Sequence, residues 1–231
     1  MAMCRTNAML GINSYGRELT QEDIERNAHR SFVGGLWEEL GKLQFEFLKE
    51  QGLHPFHKLA DIGCGCLRGG IHFIRYLDQG NYYGLDLNRS LIEAGIHEIT
   101  KESLESKYPN LLLDDRFRLD KFGETFDFMI SISLFTHLPM NIIIRCLSEA
   151  RKRLKPDGAY FSTFFEAPTP AYLHSLTHQP GGIITNYDSD PFHYSFEELS
   201  WMAAVSGLEA HLIGDWHHPR NQKMASFSIR H

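Results

Sequence analysis

Leu59-Ala-Asp-Ile-Gly-Cys-Gly-Cys-Leu-Arg-Gly-Gly70 is the stretch that decides the fold. Its apolar start reads as a buried strand, Gly63 and Gly65 end that strand in a tight turn, and Gly70 opens a helix reaching Leu77. Glycine belongs in such a turn where the backbone must take positive φ or come close to a ligand. The next strand, Tyr82-Tyr-Gly-Leu-Asp86, ends in a carboxylate 21 residues beyond Gly65. At the carboxyl edge of a parallel sheet that carboxylate is placed to accept both hydroxyls of a ribose. Turn and acid together describe an adenosine crevice.

Strand and helix patterns keep alternating downstream: a helix over Arg89–Lys107, strands over Arg116–Leu119 and Phe126–Ser131, and a helix over Met140–Leu154. The turn Lys155-Pro-Asp-Gly158 then leads into a fifth strand, Ala159–Phe165. Helices of this length between strands imply parallel pairing with helices on both faces. Upstream, Thr20 to Gln51 reads as helical, capped by Thr20 with Asp23 and carrying Leu36, Leu40, Leu43 and Phe47 at helical spacing. Beyond the fifth strand, Glu166 to Phe192 holds four prolines and a Gly181-Gly182 pair, and an irregular stretch this long is usually functional or mobile. Ser195 with Glu198 forms a capping-box pattern for a helix over Phe196–Ser206. The strands Glu209–Asp215 and Lys223–Ile229 that follow are joined too tightly for a crossover, so they must be antiparallel.

At 231 residues, with 42% of them hydrophobic, the chain suits one domain with one sizeable core. We divide it into an N-terminal helical cap (1–52), a cofactor-binding core (53–165), a lid insertion (166–194) and a C-terminal helix with its strand pair (195–231). A balance of 23 basic against 29 acidic residues gives a net charge of −6. No global positive field exists to hold a polyanion, so neither nucleic acid nor a membrane surface is an expected partner. Four cysteines, Cys4, Cys64, Cys66 and Cys146, are too few and too unevenly spaced for a disulfide scaffold. Met1–Gly11 lacks a signal-peptide core and no stretch approaches a membrane span, so a cytoplasmic location is expected.

The turn also discriminates between adenosine cofactors. A dinucleotide fingerprint needs Gly-x-Gly-x-x-Gly, but Arg68 stands at the third glycine's place. Asp61, two residues before Gly63, puts negative charge where a pyrophosphate would be repelled. S-adenosylmethionine, with a sulfonium, an ammonium and no phosphate, suits the turn better.

Ala60-Asp-Ile-Gly-Cys-Gly65, Gly84-Leu-Asp-Leu-Asn88, Phe126-Asp-Phe-Met-Ile-Ser-Ile-Ser133 and Leu154-Lys-Pro-Asp-Gly158 resemble, in order, the motifs of class I S-adenosylmethionine-dependent methyltransferases. The resemblance runs from about Gly34 to Ile229. It implies an α/β, Rossmann-like three-layer sandwich around a seven-stranded, mostly parallel sheet whose last strand is antiparallel. It also implies that Gly63, Cys64 and Gly65 meet the methionine part and that Asp86 holds the ribose. Asp120, or a neighbour after the third strand, would meet the adenine, and Ser131 to Ser133 would border the methyl group. Asp61, Arg68, Leu87 and Ile132 complete the expected cofactor-contacting set.

Methyl transfer from a cationic sulfur needs alignment and dryness first, and a base only where the acceptor must lose a proton, as a hydroxyl must. His137, directly after the fourth strand, is a candidate base or a packing histidine. The insertion leaves the sheet at the cofactor edge and overhangs it, so Glu166 and His174 are candidates too, among Tyr172, His178, Tyr187, His193 and Tyr194. His174 and His178 lie four apart, a metal-like spacing on a helix, but no third ligand follows and no metal is expected. Arg68 can bind the cofactor carboxylate or a local acid. Cys64 and Cys66 are packing residues, and Phe32 and Trp37 either close the pocket or pack in the core. His217-His218 with Arg220 reads as a surface turn. The acceptor expected is a small molecule, methylated at oxygen. Two rival readings share the crevice: an S-adenosylmethionine-binding module or partner subunit without turnover, and a nicotinamide-dependent oxidoreductase.

Overall fold

A computed structural model describes residues 17–230. The Met1–Gly11 stretch and Cys4 lie outside the described residues. Nine strands and seven α-helices alternate along them. β1 (Leu59–Ile62), β2 (Tyr82–Asp86), β3 (Asn110–Leu113), β4 (Phe126–Ser131), β5 (Leu154–Phe164), β8 (Leu208–Gly214) and β9 (Lys223–Ile229) form one sheet of order β3-β2-β1-β4-β5-β9-β8. β1 to β5 pair in parallel, and β9 runs antiparallel between β5 and β8. The reversal of order between β1 and β4 places a crevice at their carboxyl ends, where an open parallel sheet binds ligands.

The helices cover both faces. α3 (Trp37–Glu50), α4 (Gly70–Tyr76) and α5 (Arg89–Lys101) lie with the early strands, α6 (Met140–Arg151) and α7 (Phe196–Val205) with the later ones. One buried cluster joins Ile62, Phe126, Ile143 and Phe227, and a second joins Leu48, Leu59, Phe73 and Trp216. Ser195 and Glu198 make the predicted capping box of α7.

Four segments depart from the sequence reading. The helix expected over Met140–Leu154 ends at Arg151, and β5 begins at Leu154, so Lys155-Pro-Asp-Gly158 belongs to the strand rather than to a turn before it. The helix expected over 20–51 is broken into α1 (Gln21–Glu25), α2 (Ala28–Phe32) and α3, because Asn27 and Leu36 take positive φ at the breaks. The helix expected to reach Lys107 ends at Lys101, and Ser103 follows with a φ of 55°. The third strand is Asn110–Leu113, not Arg116–Leu119. Phe117 has a φ of 58°, and Asp114 accepts backbone hydrogen bonds from both Arg116 and Arg118, which folds that stretch into a loop. Inside the insertion, β6 (Leu176–His178) and β7 (Ile183–Thr185) form a small hairpin.

α2 and α3 are fastened over the cofactor turn. His29 and Arg30 both bond the buried Glu98 of α5, and Arg68 Nη1 donates to the carbonyls of Val33 and Gly35, each at 3.0 Å. Gly41 of α3 sits so close that an added Cβ would lie 2.5 Å from the Arg68 carbonyl oxygen. Gly41→Ala is therefore expected to destabilise the fold by about 1–3 kcal/mol through overpacking, read as a lower urea midpoint at unchanged slope.

Candidate cofactor and acceptor site

The predicted turn is the floor of a cleft. Gly63 and Gly65 have φ of 76° and 53°, a region that costs other residues steric strain. The amides of Gly63 and Cys64 bond back to the Leu85 carbonyl at the end of β2. Asp86 closes the arrangement: one carboxylate oxygen accepts from the Gly65 amide at 2.9 Å and the other from the Asn88 amide at 2.8 Å. The carboxylate keeps lone-pair capacity for a hydroxyl. Burial raises the Asp86 pKa, and the backbone amides of Asn88, Gly65 and Leu87 oppose that rise.

Asp61 lies behind the turn, 7% exposed, and accepts a 2.7 Å hydrogen bond from the Tyr82 hydroxyl. Burial pushes its pKa up to about 7; the Tyr82 bond and Arg68 oppose the shift, and Asp86 adds to it. A buried acid next to a second acid is a site that a cation would relieve.

Asp61, Gly63, Cys64, Gly65, Arg68 and Asp86 all line this cleft, as do Leu87, Ile132 and His137. About 830 Å³ of atom-free space lies in it, its open mouth included. A smaller pocket continues from it, with Gly63, Asp86, Leu87 and Leu134 lining both and Asp114, Asp115 and Phe117 closing the far end. The donor set suits a nucleoside with a positively charged tail: a ribose acid, a glycine floor and a buried carboxylate, with no phosphate cradle. Burial costs the Asp114 carboxylate, but bonds from Arg118, Lys121 and Arg116 outweigh that and hold it ionised. Asp115 is exposed at the same end.

Other expected site residues lie elsewhere. Asp120 sits in a 3-10 turn over Leu119–Phe122 and lines neither cavity, because the chain turns away at Asp114. Ser131 is fully buried between the Tyr160 and Ser162 hydroxyls, and it is Ser133 that reaches the cleft. Glu166 is bridged through its backbone to Tyr194, and His174 is exposed beside the Tyr172 ring; neither lines the cleft. His174 and His178 share no helix face, since Leu176–His178 is strand, and no metal-like cluster exists among the described residues. His178 and His193 both bond the Thr185 hydroxyl, and His193 also meets the Tyr172 carbonyl, so these two histidines hold the insertion together. His218 is buried and stacked on Trp216 rather than in a surface turn. Phe32 and Trp37 pack beside Ile24 and Leu91, while their neighbour Val33 lines the cleft.

His137 is the candidate the structure brings to the cleft. It ends the 3-10 turn Phe135–His137, and its Nδ1 bonds the Asp190 carboxylate from the insertion. The insertion is tied down on both sides of it: the Phe192 amide donates to the Thr136 carbonyl at 2.7 Å and the Tyr194 hydroxyl to the Leu138 carbonyl at 2.6 Å. A carboxylate only accepts, so Nδ1 carries the proton and the lone pair is on Nε2. Asp190 was missed because nothing in the sequence ties a loop aspartate to a histidine 53 residues away. Gln44, also in the cleft lining, had a signal: it shares the buried face of α3 with Leu40, Phe47 and Leu48.

A family model described as "Methyltransferase domain" matches residues 60–160. A solved S-adenosylmethionine-dependent methyltransferase from Clostridium acetobutylicum superposes with a TM-score of 0.67 at 9% identity, covering 92% of this chain and 100% of that one. The CcbJ methyltransferase from Streptomyces caelestis gives 0.66 at 15% identity, covering 95% and 99%. Magnesium protoporphyrin IX methyltransferase from Synechocystis PCC 6803, solved with bound S-adenosylmethionine, gives 0.59 at 11%, covering 94% and 88%. The chain shares the fold of these S-adenosylmethionine-dependent methyltransferases, and its residues 60–160 match the methyltransferase-domain model.

Proposed function

We propose that the protein transfers a methyl group from S-adenosylmethionine to a hydroxyl oxygen of a small molecule. The observation that carries this is the His137–Asp190 pair at the rim of a cleft floored by the Asp61 and Asp86 carboxylates. Asp86 would hold the ribose hydroxyls, Asp61 the positively charged amino-acid end, and Asp115 with Leu87 the base. When bound, S-adenosylmethionine supplies a methyl carbon on a cationic sulfur, so the acceptor's new bond forms as the carbon–sulfur bond breaks and leaves its electron pair on sulfur. His137 Nε2 takes the hydroxyl proton, and Asp190 steadies the imidazolium that results. Val33 and Leu134 exclude water.

The test is incubation with methyl-labelled S-adenosylmethionine and hydroxyl, amine and thiol acceptors, with the methylated atom located by mass spectrometry. Oxygen-methylated product is expected. Saturable cofactor binding without any turnover would instead favour the non-catalytic binding module.

Asp61 makes cofactor affinity depend on pH. With its pKa at about 7 in the free protein, a cation pays for deprotonation below that value. Calorimetry should show affinity falling about fivefold between pH 7 and pH 6, approaching the limit of tenfold per unit further below the pKa, and Asp61→Asn should bind weakly with no such slope. Linkage sets the sign for the ligand-free protein too. Because the folded-state pKa lies above the ordinary value of 3.8, stability declines as the pH rises from about 4 to about 7.

A further inference from the structure

A second cavity is lined by residues that directly follow two of the cofactor cleft's in the chain. His137 and Leu138 line the cleft, and the next two residues, Pro139 and Met140, line the second cavity together with Tyr187, Phe192 and Tyr194. Asp188 and Ser189 stand exposed at its mouth. It holds about 950 Å³ of atom-free space, the mouth included. Its walls are rings, a proline and a thioether, and Phe192 and Tyr194 are buried with their rings 6.2 Å apart and 17° from parallel. Two of its sides come from the insertion, the same segment that delivers Asp190 to His137.

We infer that this cavity is the acceptor site and that its occupant is a planar aromatic compound carrying a neutral hydroxyl, with the His137–Asp190 pair between it and the cofactor cleft. The inference rests on the methyl-transfer reading above and names its substrate class. Aromatic walls favour a flat apolar body. The carboxylates of Asp188 and Asp190 on that side disfavour an anionic one. An acceptor lying there presents its hydroxyl at the joint, where the O–H proton passes to His137 Nε2 and the oxygen pair forms the new bond to carbon. Asp190 is then a positioning residue, acting through His137. Tyr187, Met140 and Ser189 set the specificity.

The probe is 2-naphthol, followed by its own fluorescence, with 3-hydroxy-2-naphthoate as the anionic counterpart. The wild-type protein should bind 2-naphthol saturably, one per chain, with or without S-adenosylmethionine, and convert it to 2-methoxynaphthalene. The naphthoate should bind at least tenfold more weakly. Ser189→Trp, which fills the mouth from an exposed position, should cost at least tenfold in 2-naphthol affinity while S-adenosylmethionine affinity, measured by calorimetry, stays within twofold and reports that the variant is folded. Asp190→Asn should keep KM for 2-naphthol within twofold, lower kcat about tenfold and shift the acid limb of the pH–rate profile, a change that loss of packing alone would not give. The inference is overturned by an absence of 2-naphthol binding, by equal binding of the naphthoate, or by 2-naphthol affinity that Ser189→Trp leaves unchanged. Failure to bind S-adenosylmethionine would overturn the methyl-transfer reading instead, and 2-naphthol binding measured alone would still judge the cavity.

Discussion

His137→Ala is expected to lower kcat by about 10²- to 10⁴-fold, the usual contribution of a positioned general base, while S-adenosylmethionine affinity changes little. The reason is geometric. His137 ends a 3-10 turn whose flanking carbonyls, at Thr136 and Leu138, are both bonded to the insertion, so the imidazole is held against Asp190 by three independent contacts. A base so fixed loses little entropy on reaching the transition state, and its removal leaves a hydroxyl with no acceptor for its proton. An acceptor thiol, a few per cent of which is already thiolate at neutral pH, should be far less affected by the same substitution than a hydroxyl. Rates measured with both acceptors on the variant would separate loss of a base from loss of structure. Equal losses with both acceptors would assign His137 to packing.

Asp86→Ala is expected to weaken S-adenosylmethionine binding by about a hundredfold. Hydrogen bonds to a charged group contribute about 1.5–3 kcal/mol each, and two ribose hydroxyls would be left without their acceptor. The same substitution leaves the amides of Gly65 and Asn88 without partners, so the turn itself loosens. Asp86→Asn is the informative companion: its amide oxygen can keep one of these bonds, and an intermediate loss of affinity is expected. Calorimetry on both, with circular dichroism to establish folding, checks the ribose assignment. Unchanged affinity in a folded Asp86→Ala protein would remove it.

Most of the sheet was legible because its strands declare themselves locally. β2, β4 and β9 begin and end where the alternation of apolar runs and turns puts them. β3 was not, since it is the partly buried edge strand Asn110–Leu113, whereas the neighbouring Arg116–Leu119 carries strand-like alternation. Asp114 overrides that alternation by gathering the Arg116 and Arg118 amides. The N-terminal breaks were hidden for a related reason: Asn27 and Leu36 take positive φ without the glycine that usually signals it.

The site divides along the same line. Residues carried by the strand ends and the turn, such as Asp61, Gly63, Gly65 and Asp86, could be read from spacing, because strand register fixes where they emerge. Residues brought in by the insertion could not. Its chemistry-bearing side chains looked equivalent in sequence, yet His178 and His193 are internal struts, His174 faces solvent and Asp190 reaches His137. Which of them meets the cleft depends on tertiary folding of a segment with little regular structure of its own. Arg68 is a smaller instance: its Nη1 binds the Val33 and Gly35 carbonyls of the N-terminal cap, partners that its place in the turn did not announce.

The central claim is that the cleft at the carboxyl ends of β1, β2 and β4 accepts a nucleoside with a cationic tail. Isothermal calorimetry at pH 7 in two buffers of different ionisation enthalpy tests it most directly. The account predicts one S-adenosylmethionine bound per chain with proton release on binding, as Asp61 gives up its proton to face a cation, and no binding of NAD(H). Binding of NAD(H) in place of S-adenosylmethionine, or S-adenosylmethionine binding with no proton released, would contradict it.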